Sequence, residues 1–292
     1  MSEKLTALVM GGCLVRRPLR SVPNLQSRLV VDRYGIIKVV HSMAEMIQAV
    51  EFLKGRREIP PEIRFLTSVS PFLKPLPEGD DFRDLDLVLA EPGSPVDITF
   101  RGFATNRGRI SDLVLKPIED TVPEARKLTL KWVRLGLMEM NEEARQETSA
   151  KLLELVPDDG QAEFRRAVIA ETRAAPSDVV QGLKKLQELT NRPIGVVVFV
   201  FRYMPDGRPV SWPAGSREGA IAAAKALDLP YFEPTALVQQ HGVQNALEKD
   251  QRHYTENFLP VIGEAIVEFA QQVHARAKDA HGGFAGTQSS PE

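Results

Sequence analysis

The chain contains a single cysteine, Cys13, among 292 residues. That excludes an intrachain disulfide framework, and no Cys/His spacing of the structural-zinc kind accompanies it, so no metal site is expected. Aromatic residues make up only 7% of the chain, and 37 Lys and Arg stand against 39 Asp and Glu for a net charge of −2. Neither sign of charge is in excess, so nothing points to nucleic acid or to a membrane surface as partner. No apolar run approaches the roughly 20 residues of a membrane-spanning helix. At the N-terminus Glu3 and Lys4 precede a short apolar stretch and Arg16, Arg17 and Arg20 follow it, which is not the order of a secretory leader. Gly93 and Gly102 form no G-x-G-x-x-G series, and a Walker sequence is missing as well. The expectation is a cytoplasmic protein with no tightly bound cofactor, in whose reducing surroundings a lone thiol stays free.

What is present is a series of buried-strand candidates separated by helical spacing. "LTALVM" (5–10) stops at Gly11-Gly12, and "GIIKVVHS" (35–42) precedes a helix with Met43, Met46, Ile47, Val50 and Leu53 on one face. "DLDLVLAEPG" (84–93), "RPIGVVVFVFRY" (192–203) and "ALDLPYFEP" (226–234) complete the set, the second without the polar alternation of a half-exposed strand. Strands alternating with helices predict a three-layer α/β/α sandwich of flavodoxin-like type with a mainly parallel sheet. Residues 118–190 hold more helix than one crossover needs and are expected to form a helical insertion or cap. The domain is expected to span residues 1–278, with a polar, Gly- and Ser-rich tail disordered over 279–292.

Ligands of such sheets sit beyond the carboxyl ends of the strands. Cys13 occupies one such end, directly after the glycine pair. Far along the chain, "LEKDQRHYTENF" (247–258) places Asp250 three residues before His253, ahead of the last helix. Through a helical turn or tight loop the carboxylate can hold one imidazole nitrogen and leave the other basic, able to take a proton from a thiol.

The glycine-containing turn with a nucleophile after strand one, combined with D-x-x-H before the final helix, resembles the SGNH (GDSL) hydrolase superfamily. Gly11-Gly12-Cys13 stands where most members carry Gly-Asp-Ser. That is similar to the cysteine branch, whose turns read G-S-C in the GSCFA family or G-N-C-Q in capsule-polysaccharide acetyltransferase-like proteins. The resemblance implies an SGNH-type sheet, Cys13 as nucleophile, and His253 and Asp250 as its base and orienting acid. The superfamily's third block, G-x-N-D, supplies an oxyanion-hole asparagine; the matching stretch, Gly93-Ser94-Pro95-Val96, lacks it, and no second glycine block is found. Gly12, Gly93, Ser94 and Asn106 are therefore the candidate oxyanion or substrate contacts.

Arg16 and Arg17, Arg101 and Arg107, and Arg202 lie near the same strand ends. Their guanidinium forks suit the phosphates of coenzyme A or a phosphopantetheinyl carrier as acyl donor. The expected activity is acyl transfer, or ester or thioester hydrolysis, through an acyl-cysteine, on a small-molecule or carbohydrate substrate. The alternative is a catalytically silent protein of this fold that binds an anionic or carbohydrate ligand. Oligomeric state is not legible.

Overall fold

The computed structural model describes residues 4–31, 39–78, 82–212 and 214–282. Ten strands run through them: β1 (Leu5–Met10), β2 (Leu29–Val31), β3 (Leu87–Ala90), β4 (Val96–Phe100), β5 (Phe103–Ala104), β6 (Arg173–Pro176), β7 (Ile194–Val197), β8 (Arg202–Tyr203), β9 (Pro209–Val210) and β10 (Tyr231–Phe232). Five of them form the central sheet in the order β10-β7-β3-β1-β2, with every neighbouring pair parallel.

The apolar strands are uninterrupted because both faces are covered. In β1, Leu8 and Met10 join one core while Leu5, Ala7 and Val9 join the other; in β3, Val88 and Ala90 part in the same way from Leu87 and Leu89. Helix α1 (Cys13–Ser21) and the terminal helix (Leu259–Gly282) cover one face. On the other, α2 (Met43–Leu53) packs against the helix Val179–Thr190, and the helix Ser216–Ala226 packs beside that. The result is the three-layer α/β/α sandwich expected from the alternation of strands and helices.

Between β3 and β7 the chain leaves the sheet. It builds an antiparallel sheet in the order β5-β4-β6, with several helices between β5 and β6 around the fully buried Trp132. Set beside the expected 118–190 insertion, this additional unit begins at β4 and ends at β6. The helix Val179–Thr190 belongs to the main layer.

Three other differences have local causes. Of the second expected strand (35–42), residues 35–38 lie outside the described residues and 39–42 are not strand; the described edge strand is β2, upstream. The run 192–203 is broken: only its first part, β7, enters the central sheet, between β3 and β10, while Arg202 and Tyr203 turn away as β8 to pair antiparallel with β9. The terminal helix continues past residue 278 to Gly282, while 283–292 of the expected tail lie outside the described residues.

Candidate active site

In this strand order the sheet reverses its winding direction between β1 and β3, where a crevice opens at the strand ends. Cys13 is the first residue of α1 at that crevice. Gly12 caps the helix, its carbonyl accepting the N–H groups of Val15 and Arg16 at 3.3 and 3.2 Å. The glycine pair is explained by the neighbouring strand. Glu91, one residue beyond β3, lays its side chain across the turn. A Cβ on Gly11 would lie 2.9 Å from both Glu91 Cβ and Oε2, and one on Gly12 would lie 3.2 Å from Oε2. Glu91 Oε2 accepts the Gly12 N–H, and the Glu91 N–H donates to Met10 O at 2.8 Å.

The partner loop is folded on itself. Leu247 bridges Tyr254, and the Glu248 N–H donates to His253 O at 2.7 Å. Within it, Asp250 Oδ1 accepts the N–H groups of Arg252 and His253, both at 3.0 Å, and Asp250 Oδ2 lies 2.6 Å from His253 Nδ1. Burial raises the Asp250 carboxyl, but the hydrogen bonds from the His253 backbone and ring and the Arg252 N–H outweigh it and hold the group at about 2. An ionised carboxylate fixes the proton on Nδ1 and leaves the lone pair on Nε2. That nitrogen lies 3.7 Å from Cys13 Sγ. Sulfur, imidazole and carboxylate thus meet in series.

The thiol is not poised as an anion. Burial, and then the charge of Glu91, push the Cys13 thiol up; Arg252, its own N–H and Arg17 pull the other way without prevailing. The helix N-terminus therefore does not produce the depressed thiol that its dipole suggests. A thiol in this state would need a base beside it to act as a nucleophile, and the nearest is His253 Nε2.

Next to the triad is a cleft lined by Gly93, Ser94, Phe199, Phe201, Trp212, His41, Glu45, Arg107 and Arg252, among others. The Arg252 guanidinium sits 5.3 Å from the Phe201 ring centre and 5.9 Å from that of Phe199, and Arg107 sits 6.0 Å over Trp212. Among the described residues, neither arginine has a carboxylate within ion-pair distance. Burial, followed by the repulsion of Arg107 and Arg252, drives His41 down to about 4, so the imidazole is neutral.

Several expected site residues do other work. The Gly12 N–H is taken by Glu91. Gly93 and Ser94 line the cleft, but Ser94 Oγ closes a turn with Val96, donating to its carbonyl at 2.8 Å and accepting its N–H at 3.2 Å. Asn106 caps the helix Arg107–Ile110, and its buried amide is engaged in donating to Val39 O and Glu45 Oε2, both at 2.8 Å. Arg16 is buried behind β1, bonding Val9 O at 2.7 Å. Arg17 ties α1 to Glu248 and Glu256 at the surface. Arg101 pairs with Glu171 on the additional unit, and Arg202 is exposed on β8. Of the arginines expected at the site, Arg107 alone lines the cleft. Glu91 and Arg252 were missed, although both had a visible position: one ends a buried strand, the other lies inside D-x-x-H. Glu248, Asp250 and His253 gather within 4.8 Å, but Asp250 already holds the His253 ring and Arg17 holds Glu248. The cluster is thus accounted for without an ion.

A protein-family model described as the TviD N-terminal domain matches residues 5–269, the span from β1 into the terminal helix. Comparison with curated proteins and with solved structures finds no match. Among the described residues no helix is long and apolar enough to cross a membrane.

Proposed function

The chain belongs to the TviD N-terminal domain family, and from that premise we propose that it is an acyltransferase, or an ester or thioester hydrolase, working through an acyl-Cys13 intermediate. The observation that carries this reading is the Cys13–His253–Asp250 series, 3.7 Å and then 2.6 Å, at the winding reversal of a parallel sheet. It has the order implied by the resemblance to cysteine-bearing SGNH proteins.

In the proposed reaction His253 Nε2 takes the thiol proton as Sγ bonds to the acyl carbonyl carbon. The carbonyl π electrons move to oxygen. The first-turn N–H groups of α1, Cys13 and Leu14, have no intrahelical acceptor and are the donors available to that oxyanion. Collapse expels the donor's thiolate or alkoxide, which leaves with the proton from His253. An acceptor hydroxyl, or water, then gives its proton to Nε2, attacks the thioester and releases the Cys13 thiol as the imidazolium returns the proton. Asp250 keeps the imidazole in one tautomer and balances its charge.

Arg107 and Arg252 give the adjoining cleft two cations framed by aromatic rings, which suits an anionic group on donor or acceptor: a coenzyme A or phosphopantetheinyl phosphate, or an acid group on a carbohydrate. A free thiol of this kind suits a reducing, cytoplasmic setting.

Intact-protein mass spectrometry after incubation with acetyl-coenzyme A and longer acyl thioesters tests the reading. The expected result is a mass gain of one acyl group, absent in Cys13→Ala and discharged by an added acceptor. No adduct and no turnover with any thioester or activated ester would refute it. The alternative, a silent protein that binds an anionic or carbohydrate ligand, draws support from the missing third-block asparagine and the engaged Gly12 N–H; saturable binding without an adduct would establish it.

A further inference from the structure

Glu91 has no part in the proton relay, yet it is fully buried beside it. A carboxyl withdrawn from water costs several kcal/mol unless it is neutral or well bonded. Here the side chain occupies the space above Gly11 and Gly12, and Oε2 accepts the Gly12 N–H. Its backbone N–H holds Met10 O, so strand β3 grips the end of β1 at two points. The groups facing it come from every element around it: Cys13 and Arg16 on α1, and Arg252 and Tyr254 on the loop that carries His253. Burial pushes the Glu91 carboxyl up to about 7 against the pull of the Gly12 N–H, Arg252 and Arg16, and the charge it carries when ionised acts on Cys13.

We propose that Glu91 is a positioning residue for the nucleophile: it locks the Gly11-Gly12-Cys13 turn through the Gly12 N–H, and its negative charge keeps the resting sulfur protonated until His253 removes the proton. Such a device fits a general-base mechanism, in which the productive resting pair is a neutral thiol and a neutral imidazole. It also shields the lone cysteine from oxidants and electrophiles, which attack thiolates. The proposal rests on Cys13 being the nucleophile, but its readout needs no turnover.

The test is the rate of Cys13 alkylation by iodoacetamide as a function of pH, followed by intact mass, in the full chain and in Glu91→Gln. Glutamine keeps an acceptor for the Gly12 N–H and removes the charge. The midpoint of alkylation is expected to fall by about one pH unit, giving about tenfold faster labelling at pH 7.5. A folded Glu91→Gln with an unchanged midpoint overturns the proposal. Should that variant not fold, the profile of His253→Ala decides, because it removes the imidazole that would itself couple to the thiol and leaves Glu91 as the titrating neighbour. Two coupled groups give a curve shallower than one proton, whereas a single-proton curve overturns the proposal. Failure here with acyl adducts still forming on Cys13 would remove the role of Glu91 alone. A lowered midpoint without any adduct would keep that role and count against the acyl-transfer reading.

Discussion

Gly263, in the second turn of the terminal helix, provides a sharp test of how Cys13 is held. Replacing glycine by alanine inside a helix ordinarily stabilises it by up to about 1 kcal/mol. At this position a Cβ would lie 2.4 Å from Pro18 O, 2.9 Å from Pro18 C and 2.5 Å from Val22 Cγ2. Two of these are backbone atoms that no rotamer change can move, so α1 and the terminal helix must part by roughly 0.6 to 1 Å to restore ordinary contact. Overpacking of that kind costs about 1–3 kcal/mol, more than the helix preference returns. Gly263→Ala is therefore expected to lose about 1–2 kcal/mol and several degrees of Tm in thermal unfolding followed by circular dichroism. Gly219 is the control. It lies within the helix Ser216–Ala226 with nothing inside 4 Å of its would-be Cβ, so Gly219→Ala is expected to gain about 0.5–1 kcal/mol. Because Cys13 begins α1, the same displacement also moves Sγ relative to His253, and turnover should fall further than stability does. A Gly263→Ala protein as stable as wild type would refute the packing account of this interface.

The relay predicts that His253→Ala lowers kcat/KM on any ester or thioester substrate by about 10²–10⁴-fold with the circular dichroism spectrum unchanged; Asp250→Asn, which loses the tautomer control, should follow it in direction. Full activity in His253→Ala would rule out His253 as the base. In the cleft, Arg252→Ala and Arg107→Ala are expected to raise KM for an anionic substrate far more than for a neutral ester, measured side by side; equal effects on both would refute anion recognition. Stability should also respond to pH in an unusual direction. Glu45 and Glu91, both raised by burial to about 7, bind protons in the folded chain that the unfolded chain has released above about 4.5. Stability from them is present below that pH and is lost as pH rises toward 7. Buried His41, lowered first by burial and then by Arg107 and Arg252 to about 4, contributes the opposite slope between about 4 and 6.5. Two groups against one leave a net fall of about 1.4 kcal/mol per pH unit across the shared window, to be read from urea unfolding; stability rising through it would show the carboxyls to be ionised throughout.

The strands that pair on both sides were legible because burial on two faces removes the polar alternation, and β1 begins and ends where its apolar run does. The short edge strand β2, three residues long with one face of its pairing open, carries too little pattern to stand out. β4 had a readable signal. In "VDITF", Val96, Ile98 and Phe100 are buried while Asp97 and Thr99 are not, the period of two that marks an antiparallel strand, although five residues with two polar ones among them make a weaker signal than the apolar runs of the central sheet. Pro18 marks a break in the helical pattern after Cys13, and from sequence alone it would make α1 start late or stay short. The helix starts at Cys13, since a proline in the second turn costs one internal hydrogen bond and the packing of α1 on the terminal helix compensates. Asp250 and His253 were legible through their spacing alone, which closes a local turn. Glu91 was not, because its meaning comes from β3 lying beside β1, and strand adjacency is a tertiary fact.

That adjacency also explains why the site tolerates a buried acid. Cys13 is held by three separate restraints: β3 through Glu91, the terminal helix through Pro18 and Val22, and the surface pairs from Arg17 to Glu248 and Glu256. The exposed Arg17 pairs contribute little to stability, but they join α1 to the loop that carries His253. The terminal helix starts at Leu259, a few residues beyond that loop, so the interface that buries α1 also sets where the imidazole stands. Alignment of sulfur with imidazole is thus a by-product of core packing, while the sulfur is kept protonated by its burial first and then, in the role proposed for Glu91, by that carboxyl against the pull of Arg252. Packing variants should change the distance between the reacting groups and charge variants their titration, so paired alkylation and unfolding data on Gly263→Ala and Glu91→Gln separate the two contributions.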